Sequence, residues 1–145
     1  MILRTQYLER IRPFYGSELI KVITGVRRCG KSVLLRKIAD EIRAEHFDSM
    51  EPDTLVFVDF DDYANRELTD PDKLYRHIKP KLSDERKTYL LFDEIQNVRD
   101  FELVVNSFNT TDNVSIFLTG SNSKLLSGEL ATRLGGRTVS FHVMP

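Results

Sequence analysis

The segment LIKVITGVRRCGKSVLL, residues 19–35, decides the fold of this chain. Residues 19–24 form a short run of apolar and β-branched side chains, which predicts a buried strand. Residues 31–46 predict a helix, because their apolar side chains recur at helical spacing. This stripe comprises Val33, Leu34, Ile38, Ala39 and Ile42. Between the strand and the helix lies Gly-x-x-x-x-Gly-Lys-Ser, residues 25–32, which is the pattern of a phosphate-binding loop.

Each residue type in this loop has a physical role in holding phosphate. The two glycines allow a sharp turn that brings successive N–H groups against phosphate oxygens. The helix that starts at Lys31 points the positive end of its dipole at the same place. Lys31 is expected to reach the β- and γ-phosphates, and the Ser32 hydroxyl is expected to bind Mg²⁺. The residues predicted to contact the nucleotide are Gly25, Val26, Arg27, Arg28, Cys29, Gly30, Lys31, Ser32 and Val33.

Three side chains inside the loop leave alternatives open. Arg27 and Arg28 either add positive charge near the phosphates or are exposed side chains at tolerant positions. Cys29 stands beside a helix N-terminus, where a thiolate is favoured, and bound nucleotide is expected to shield it. A catalytic thiol is not expected, since no histidine partner is predicted nearby.

The composition indicates one globular domain and excludes several classes of protein. The chain has 145 residues, 41% hydrophobic and 30% charged, with a formal net charge of −1. No bulk charge therefore indicates nucleic acid or a membrane surface as a partner. One cysteine and three scattered histidines provide no zinc-site spacing. No apolar run approaches 18 residues and no signal peptide is recognised, so a soluble cytoplasmic protein is expected.

Four further segments read as strands, and helical segments separate them. The strands are predicted at residues 54–60, 88–92, 114–119 and 138–143. The helices are predicted at residues 5–15, from Pro71 to a bend at Pro80, around residues 101–108 and at residues 123–134. Short, nearly continuous apolar strands that alternate with helices are typical of a parallel sheet covered on both faces. The prediction is one α/β domain.

An acidic pair, Asp93 and Glu94, directly follows the third predicted strand. Ligands of parallel sheets bind beyond the carboxyl ends of the strands. A carboxylate there can hold Mg²⁺ through water, which is the role predicted for Asp93. Glu94 can orient and deprotonate a water for attack on a γ-phosphorus. The alternative interpretation is two solvated acids that end a strand.

Two other polar segments follow predicted strands. After the fourth strand, Thr119 and Asn122 are candidates to hydrogen-bond the attacking water or the phosphate. The alternative is a Gly/Ser/Asn turn that caps the next helix. At the end of the second strand, the acids Asp59, Asp61 and Asp62 are interpreted as a solvated loop. The alternative is that they border the site or receive an arginine from a neighbouring subunit.

Three segments together resemble the AAA+ ATPases: LIKVITGVRRCGKSVLL, LLFDEIQNV and FLTGSNSKLLSGELATRLGGR. The resemblance runs from about residue 7 to residue 145. It is strongest to prokaryotic proteins in which an AAA-type core precedes a C-terminal domain of unknown function. It implies a three-layer P-loop NTPase fold with a mainly parallel five-stranded sheet in the order 5-1-4-3-2. It also implies ATP, Mg²⁺, Asp93 and Glu94 as the Walker B pair, and Asn122 or Thr119 as the first-sensor residue.

The resemblance further implies a homo-oligomer. In AAA+ proteins an arginine just before strand five commonly reaches the γ-phosphate of a neighbouring subunit. Arg133 and Arg137 occupy that region, and the choice between them stays open. The alternative is that both bind local carbonyls or acids near Gly135 and Gly136.

The chain departs from the family where it stops, directly after the fifth strand. No small helical lid and no further domain is recognised within residues 1–145. They are therefore interpreted as a nucleotide-binding core, either a fragment of a longer protein or a natural minimal core. The predicted function is Mg²⁺-dependent ATP binding and hydrolysis, coupled to an unknown conformational or partner-remodelling task. The alternative is a nucleotide-gated binding module without appreciable hydrolysis of its own. A protein partner is expected, and DNA binding by this piece is not supported.

Overall fold

Strands and helices alternate along the chain in the computed structural model, which describes residues 2–25, 30–46, 54–109, 113–121 and 133–144. The strands are β1 (Ile20–Thr24), β2 (Thr54–Asp59), β3 (Thr88–Asp93), β4 (Val114–Gly120) and β5 (Thr138–His142). The α-helices are α1 (Ile2–Ile11), α2 (Lys31–His46), α3 (Pro71–Ile78) and α4 (Phe101–Phe108). Most of the helix predicted at residues 123–134 lies outside the described residues.

The five strands form one parallel sheet in the order β2-β3-β4-β1-β5. This is the predicted order 5-1-4-3-2 read from the other edge, so the predicted fold class is confirmed. The strand β4 lies between β1 and β3, with Ile23 opposite Thr119 and Leu91 opposite Phe117. At the far edge, Asp59 of β2 is opposite Asp93 of β3. The carboxyl ends of all five strands therefore lie along one edge of the sheet.

The two faces of the sheet carry two separate hydrophobic cores. Successive residues of β3 alternate between them, since side chains of a strand point to opposite faces. Tyr89 and Leu91 pack with the helices α1 and α2, while Leu90 and Phe92 pack with α3 and α4. Burial on both faces explains why the strands read as continuous apolar runs. Val33 is an exception to the predicted helix stripe, because 39% of it is exposed on α2.

The N-terminal segment is fastened to the domain at two points. The helix α1 ends at Ile11, and a 3₁₀ turn, Arg12–Phe14, follows it. The Arg12 guanidinium donates two hydrogen bonds to the Glu41 carboxylate on α2, at 2.9 and 2.7 Å. The Tyr15 hydroxyl donates a third, at 2.8 Å. The Tyr7 hydroxyl accepts a bond from the backbone N–H of Met144, beyond β5.

None of the described helices is long and apolar enough to span a membrane.

A completely buried lysine, Lys21, lies in the central strand β1. Its ammonium group donates to the carbonyl oxygen of Ser17 at 2.8 Å and to the Ser115 hydroxyl at 2.7 Å. It lies 4.7 Å from the centre of the Phe117 ring. Among the described residues, no carboxylate forms an ion pair with it. Burial, and secondarily the positive charge of Lys87, lower the pKa of Lys21 to about 7.

This lowered pKa predicts a pH dependence of stability. Between about pH 7 and 10.5 the unfolded chain holds a proton on Lys21 that the folded chain has lost, so folding stability rises with pH. Relative to a Lys21→Met variant, the wild-type free energy of unfolding should rise by at most about 1.4 kcal/mol per pH unit in this window. Urea denaturation of both proteins at several pH values measures this difference. If the free energy of unfolding changed with pH equally in both proteins, the lowered pKa of Lys21 would be contradicted.

Candidate active site

Gly30, at the end of the predicted phosphate-binding loop, leads directly into the helix α2. Gly30 has φ 96°, in the region that favours glycine, and its carbonyl accepts the N–H of Leu34 at 2.9 Å to close the first helical turn. Lys31 is the first residue of α2 and is buried. Its Nζ lies 3.3 Å from Oε1 of Glu94. The structure therefore joins the loop lysine to the second acid of the predicted pair.

Asp93 ends the strand β3 and is 1% exposed. Its Oδ1 accepts a hydrogen bond from the Thr119 hydroxyl at 2.5 Å, and the Ser32 hydroxyl also bonds to this carboxylate. Burial raises the pKa of Asp93 above its ordinary value, while the bonds from Thr119 and Ser32 oppose that shift. The two residues predicted to bind the metal, Ser32 and Asp93, are thus in direct contact.

Glu94 adopts a backbone conformation that is uncommon for a residue other than glycine. Its φ and ψ are 58° and 54°, in the left-handed region. The side chain is buried and both carboxylate oxygens are engaged. Oε1 faces Lys31, and Oε2 accepts a hydrogen bond from Nε2 of Gln96. Strained residues held by several contacts cluster at functional sites, and Glu94 fits that pattern.

Thr119, at the end of β4, bonds to both residues of the acidic pair. Its hydroxyl accepts the backbone N–H of Glu94 at 2.9 Å and donates to Asp93. A hydroxyl has one hydrogen to donate, and that hydrogen is directed at Asp93. In this structure Thr119 therefore holds the acidic pair to β4, and its donor is not available to a phosphate.

Gln96, Asp59 and Arg36 lie near this pair and were not among the predicted site residues. Gln96 bonds to Glu94, as described above, and no sequence pattern indicated its contact. Asp59 was interpreted as part of a solvated loop, with a place at the border of the site as the alternative. It lies beside Asp93, and its charge also raises the pKa of Asp93. Oδ2 of Asp59 is 3.6 Å from the guanidinium of Arg36 on α2. The available signal was that the neighbouring strands β2 and β3 both end in an aspartate, which places Asp59 beside Asp93.

The two candidate arginines do not contact this site. The guanidinium of Arg133 is 3.6 Å from Oε1 of Glu102 on α4, and its carbonyl accepts a bond from Asn106. This contact matches the local alternative for Arg133. Arg137 is exposed, and its carbonyl accepts the N–H of Ile20 at the start of β1, the opposite end of the strand from the loop. Among the described residues, no carboxylate forms an ion pair with Arg137.

Several predicted contacts cannot be compared with the structure. Val26, Arg27, Arg28, Cys29 and Asn122 lie outside the described residues. Their roles stay predictions.

The oxygen atoms of Ser32 and Asp93 fit Mg²⁺, a hard cation that prefers oxygen ligands. Within the described ranges, no group of three or more His, Cys, Asp or Glu side chains is arranged to hold a metal ion. Magnesium sites of this kind draw their remaining ligands from water and substrate phosphates. The Ser32 hydroxyl and the Asp93 carboxylate therefore suit part of a magnesium site that water and a nucleotide would complete.

Comparison with known proteins gives related sequences along the whole chain. A family model described as an AAA domain matches residues 17–145. An uncharacterized protein of Haemophilus influenzae is 38% identical over 146 aligned positions, which cover 100% of this chain and 36% of that protein. Another, from Methanocaldococcus jannaschii, is 38% identical over 126 positions, which cover 87% of this chain and 26% of that protein. The chain spans little more than a third of these relatives at most.

Solved structures of distant sequence share the fold. The ORC1 protein of Aeropyrum pernix, in complex with DNA, has a TM-score of 0.63 at 12% identity, covering 98% of this chain and 45% of that one. AMPPCP-bound DnaA from Aquifex aeolicus has a TM-score of 0.59 at 18% identity, covering 97% and 45%. PCH-2 of C. elegans has a TM-score of 0.62 at 16% identity, covering 99% and 40%.

The position of Thr119 predicts a stability effect. Replacing it by valine keeps the shape but leaves the Asp93 carboxylate and the Glu94 N–H each without one buried partner. Thr119→Val should lower the free energy of unfolding by about 2 kcal/mol, because unpaired buried polar groups are costly. Urea denaturation measures the change, with Thr119→Ser, which retains the hydroxyl, as the matched control. Equal stability of the two variants would contradict the bridging role.

Proposed function

The chain belongs to the AAA domain family, and we propose that it forms the nucleotide-binding core of a Mg²⁺-dependent ATPase. One observation carries the proposal. The loop residues Lys31 and Ser32 contact Glu94 and Asp93, respectively, at the carboxyl ends of the strands. A cation, a hydroxyl and two carboxylates in this arrangement are the groups that phosphoryl transfer to water requires.

Binding of ATP would change the partner of Lys31. The ammonium group that faces Glu94 is proposed to turn to the β- and γ-phosphate oxygens, as in other loops of this pattern. Oε1 of Glu94 then loses its ion-pair partner and becomes free to accept a proton. Ser32 and Asp93 would hold Mg²⁺, which when bound neutralises charge on the β- and γ-phosphates.

The proposed reaction is attack of a water oxygen on the γ-phosphorus. Glu94 accepts the proton of that water as the new P–O bond forms. The bond between the γ-phosphorus and the β-bridging oxygen breaks, and ADP leaves with its electron pair. Thr119 contributes by fixing the backbone of Glu94 and the carboxylate of Asp93.

An arginine from a neighbouring subunit is proposed to complete the site in a homo-oligomer. Arg137 fits this role better than Arg133, because Arg133 is already paired with Glu102. Arg137 is exposed and could reach a second copy of the chain. The cytoplasmic location and the unknown protein partner are predictions from the sequence.

A second candidate function is a nucleotide-gated binding module. The observation in its favour is that Lys31 and Gln96 occupy both carboxylate oxygens of Glu94. If nucleotide does not release Glu94, the chain would bind ATP without appreciable hydrolysis. Steady-state turnover with a Glu94 variant distinguishes the two functions.

Removing the proposed base gives the first test. Glu94→Gln should reduce ATP turnover by about 10²–10⁴-fold, because proton acceptance from water is lost. The same variant should bind a non-hydrolysable ATP analogue severalfold more tightly, since the carboxylate no longer competes with phosphate for Lys31. Glu85→Gln, at an exposed glutamate, is the matched control. Unchanged turnover in Glu94→Gln would refute the role of Glu94 as the base.

The choice of arginine gives the second test. Specific activity should rise with protein concentration, and Arg137→Ala should lower it by about 10³-fold or more. Arg133→Ala should have a much smaller effect, because its side chain is held on α4. Mixing Arg137→Ala with Glu94→Gln should restore part of the turnover, since mixed interfaces combine an intact base with an intact arginine. If mixing the two variants restored no turnover, Arg137 would not act on the site of a neighbouring subunit.

A further inference from the structure

The carboxylate of Glu94 is held at both oxygens by different kinds of group. Lys31 faces Oε1 with a positive charge, and the amide of Gln96 donates a hydrogen bond to Oε2. In the proposed function, Lys31 turns away from Glu94 when ATP binds. No phosphate group competes for the amide of Gln96, so this bond to Glu94 can remain. What Gln96 does in the nucleotide-bound protein therefore determines how Glu94 is oriented.

Gln96 lies in a short turn that is anchored on both sides. The turn Ile95–Asn97 follows β3, and the side chain of Ile95 is completely buried. The amide of Asn97 donates to the carbonyl oxygen of Phe60 at 3.1 Å and to Oδ1 of Asp61 at 2.9 Å. These bonds tie the turn to the loop after β2. Gln96 is therefore presented to Glu94 from a fixed backbone.

The orientation of the Gln96 amide is determined by Glu94. The atom that meets Oε2 has to be the donor Nε2, because two acceptor oxygens would repel one another. The other amide atom, Oε1, is buried and accepts no hydrogen bond from any described residue. Leaving a buried acceptor unpaired costs free energy. The amide at this position is therefore explained by its bond to Glu94 and not by the packing of its oxygen.

We propose that Gln96 is a positioning residue for the catalytic base. Its Nε2 retains Oε2 of Glu94 after phosphate draws Lys31 away from Oε1, so that Oε1 is presented to the attacking water in one fixed orientation. This proposal rests on the ATPase function proposed above. It differs from a purely structural role, in which Gln96 would fill the turn and its loss would weaken folding and nucleotide binding together.

The bond itself can be observed without measuring activity. The chain has two glutamines, Gln6 and Gln96, and Gln6 is exposed on α1. In protein labelled with ¹⁵N at glutamine side-chain amides, the Gln96 protons should exchange with solvent more slowly than those of Gln6. The protection should persist with Mg²⁺ and a non-hydrolysable ATP analogue, and disappear in Glu94→Ala. A Gln96 signal that becomes like that of Gln6 on analogue binding would overturn the proposal.

Kinetics distinguish positioning from packing. Gln96→Met, which preserves the size but removes the amide, should lower kcat by about tenfold to a hundredfold, since misplacing a reacting group has effects of that size. The analogue Kd should stay close to wild type. The melting temperature should also stay close, because removing the unpaired Oε1 offsets the loss of the bond to Glu94. In a Glu94→Gln background the same change should cause no further loss of kcat. Gln6→Met is the matched control and should retain wild-type kcat.

Three results would lead to different conclusions. An unchanged kcat in Gln96→Met would refute the positioning role. A parallel fall of kcat, analogue affinity and melting temperature would assign Gln96 to structure instead. If the wild-type chain shows no turnover at any concentration, the proposed ATPase function fails, and the amide signal with bound analogue still decides whether Gln96 retains Glu94.

Discussion

The burial of two adjacent carboxylates at the end of β3 is the constraint on which this site depends. Asp93 and Glu94 are 1% and 6% exposed, and buried charges are stable only when they are paired or hydrogen-bonded. Each nearby polar group meets part of that requirement: Thr119 and Ser32 bond to Asp93, while Lys31 and Gln96 bond to Glu94. The groups suited to phosphate chemistry are therefore also the ones that make the acids tolerable in the folded chain.

The sheet order makes these contacts possible. Because β4 lies between β1 and β3, a residue at the end of β4 is beside both acids of β3 while its strand also borders the strand that leads into the loop. Thr119 occupies that place, opposite Ile23 of β1. A sheet with β1 and β3 adjacent would have no strand between them to supply such a hydroxyl. The topology thus fixes the distance between the loop after β1 and the acidic pair after β3. It also places Thr119 between them.

The sequence predicted local structure well and side-chain contacts poorly. Pro71 marked the start of α3, and the helix begins there in the structure, with Asp70 as the N-cap that accepts the N–H of Lys73. The strand order came from the family resemblance, because apolar runs alone do not say which strands are neighbours. Contacts between segments distant in sequence, such as that of Asp59 with Arg36, depend on packing that no local pattern encodes. The buried strand around Lys21 was predicted, and every residue of β1 is buried. The contacts of its ammonium group with Ser17 and Ser115 were not predicted, because they too depend on packing.

The two buried lysines show how the same residue serves folding and chemistry differently. Lys21 has hydroxyl and carbonyl partners and no carboxylate among the described residues, so burial lowers its pKa and favours loss of its charge. Lys31 has the carboxylate of Glu94 beside it. Its ammonium group is already removed from water before a phosphate arrives, so exchanging one anionic partner for another avoids a new desolvation cost. That exchange also exposes the carboxylate. In the proposed mechanism, recognition of the phosphate and release of the base are therefore one event, and the turn that holds Gln96 preserves the geometry when Lys31 moves.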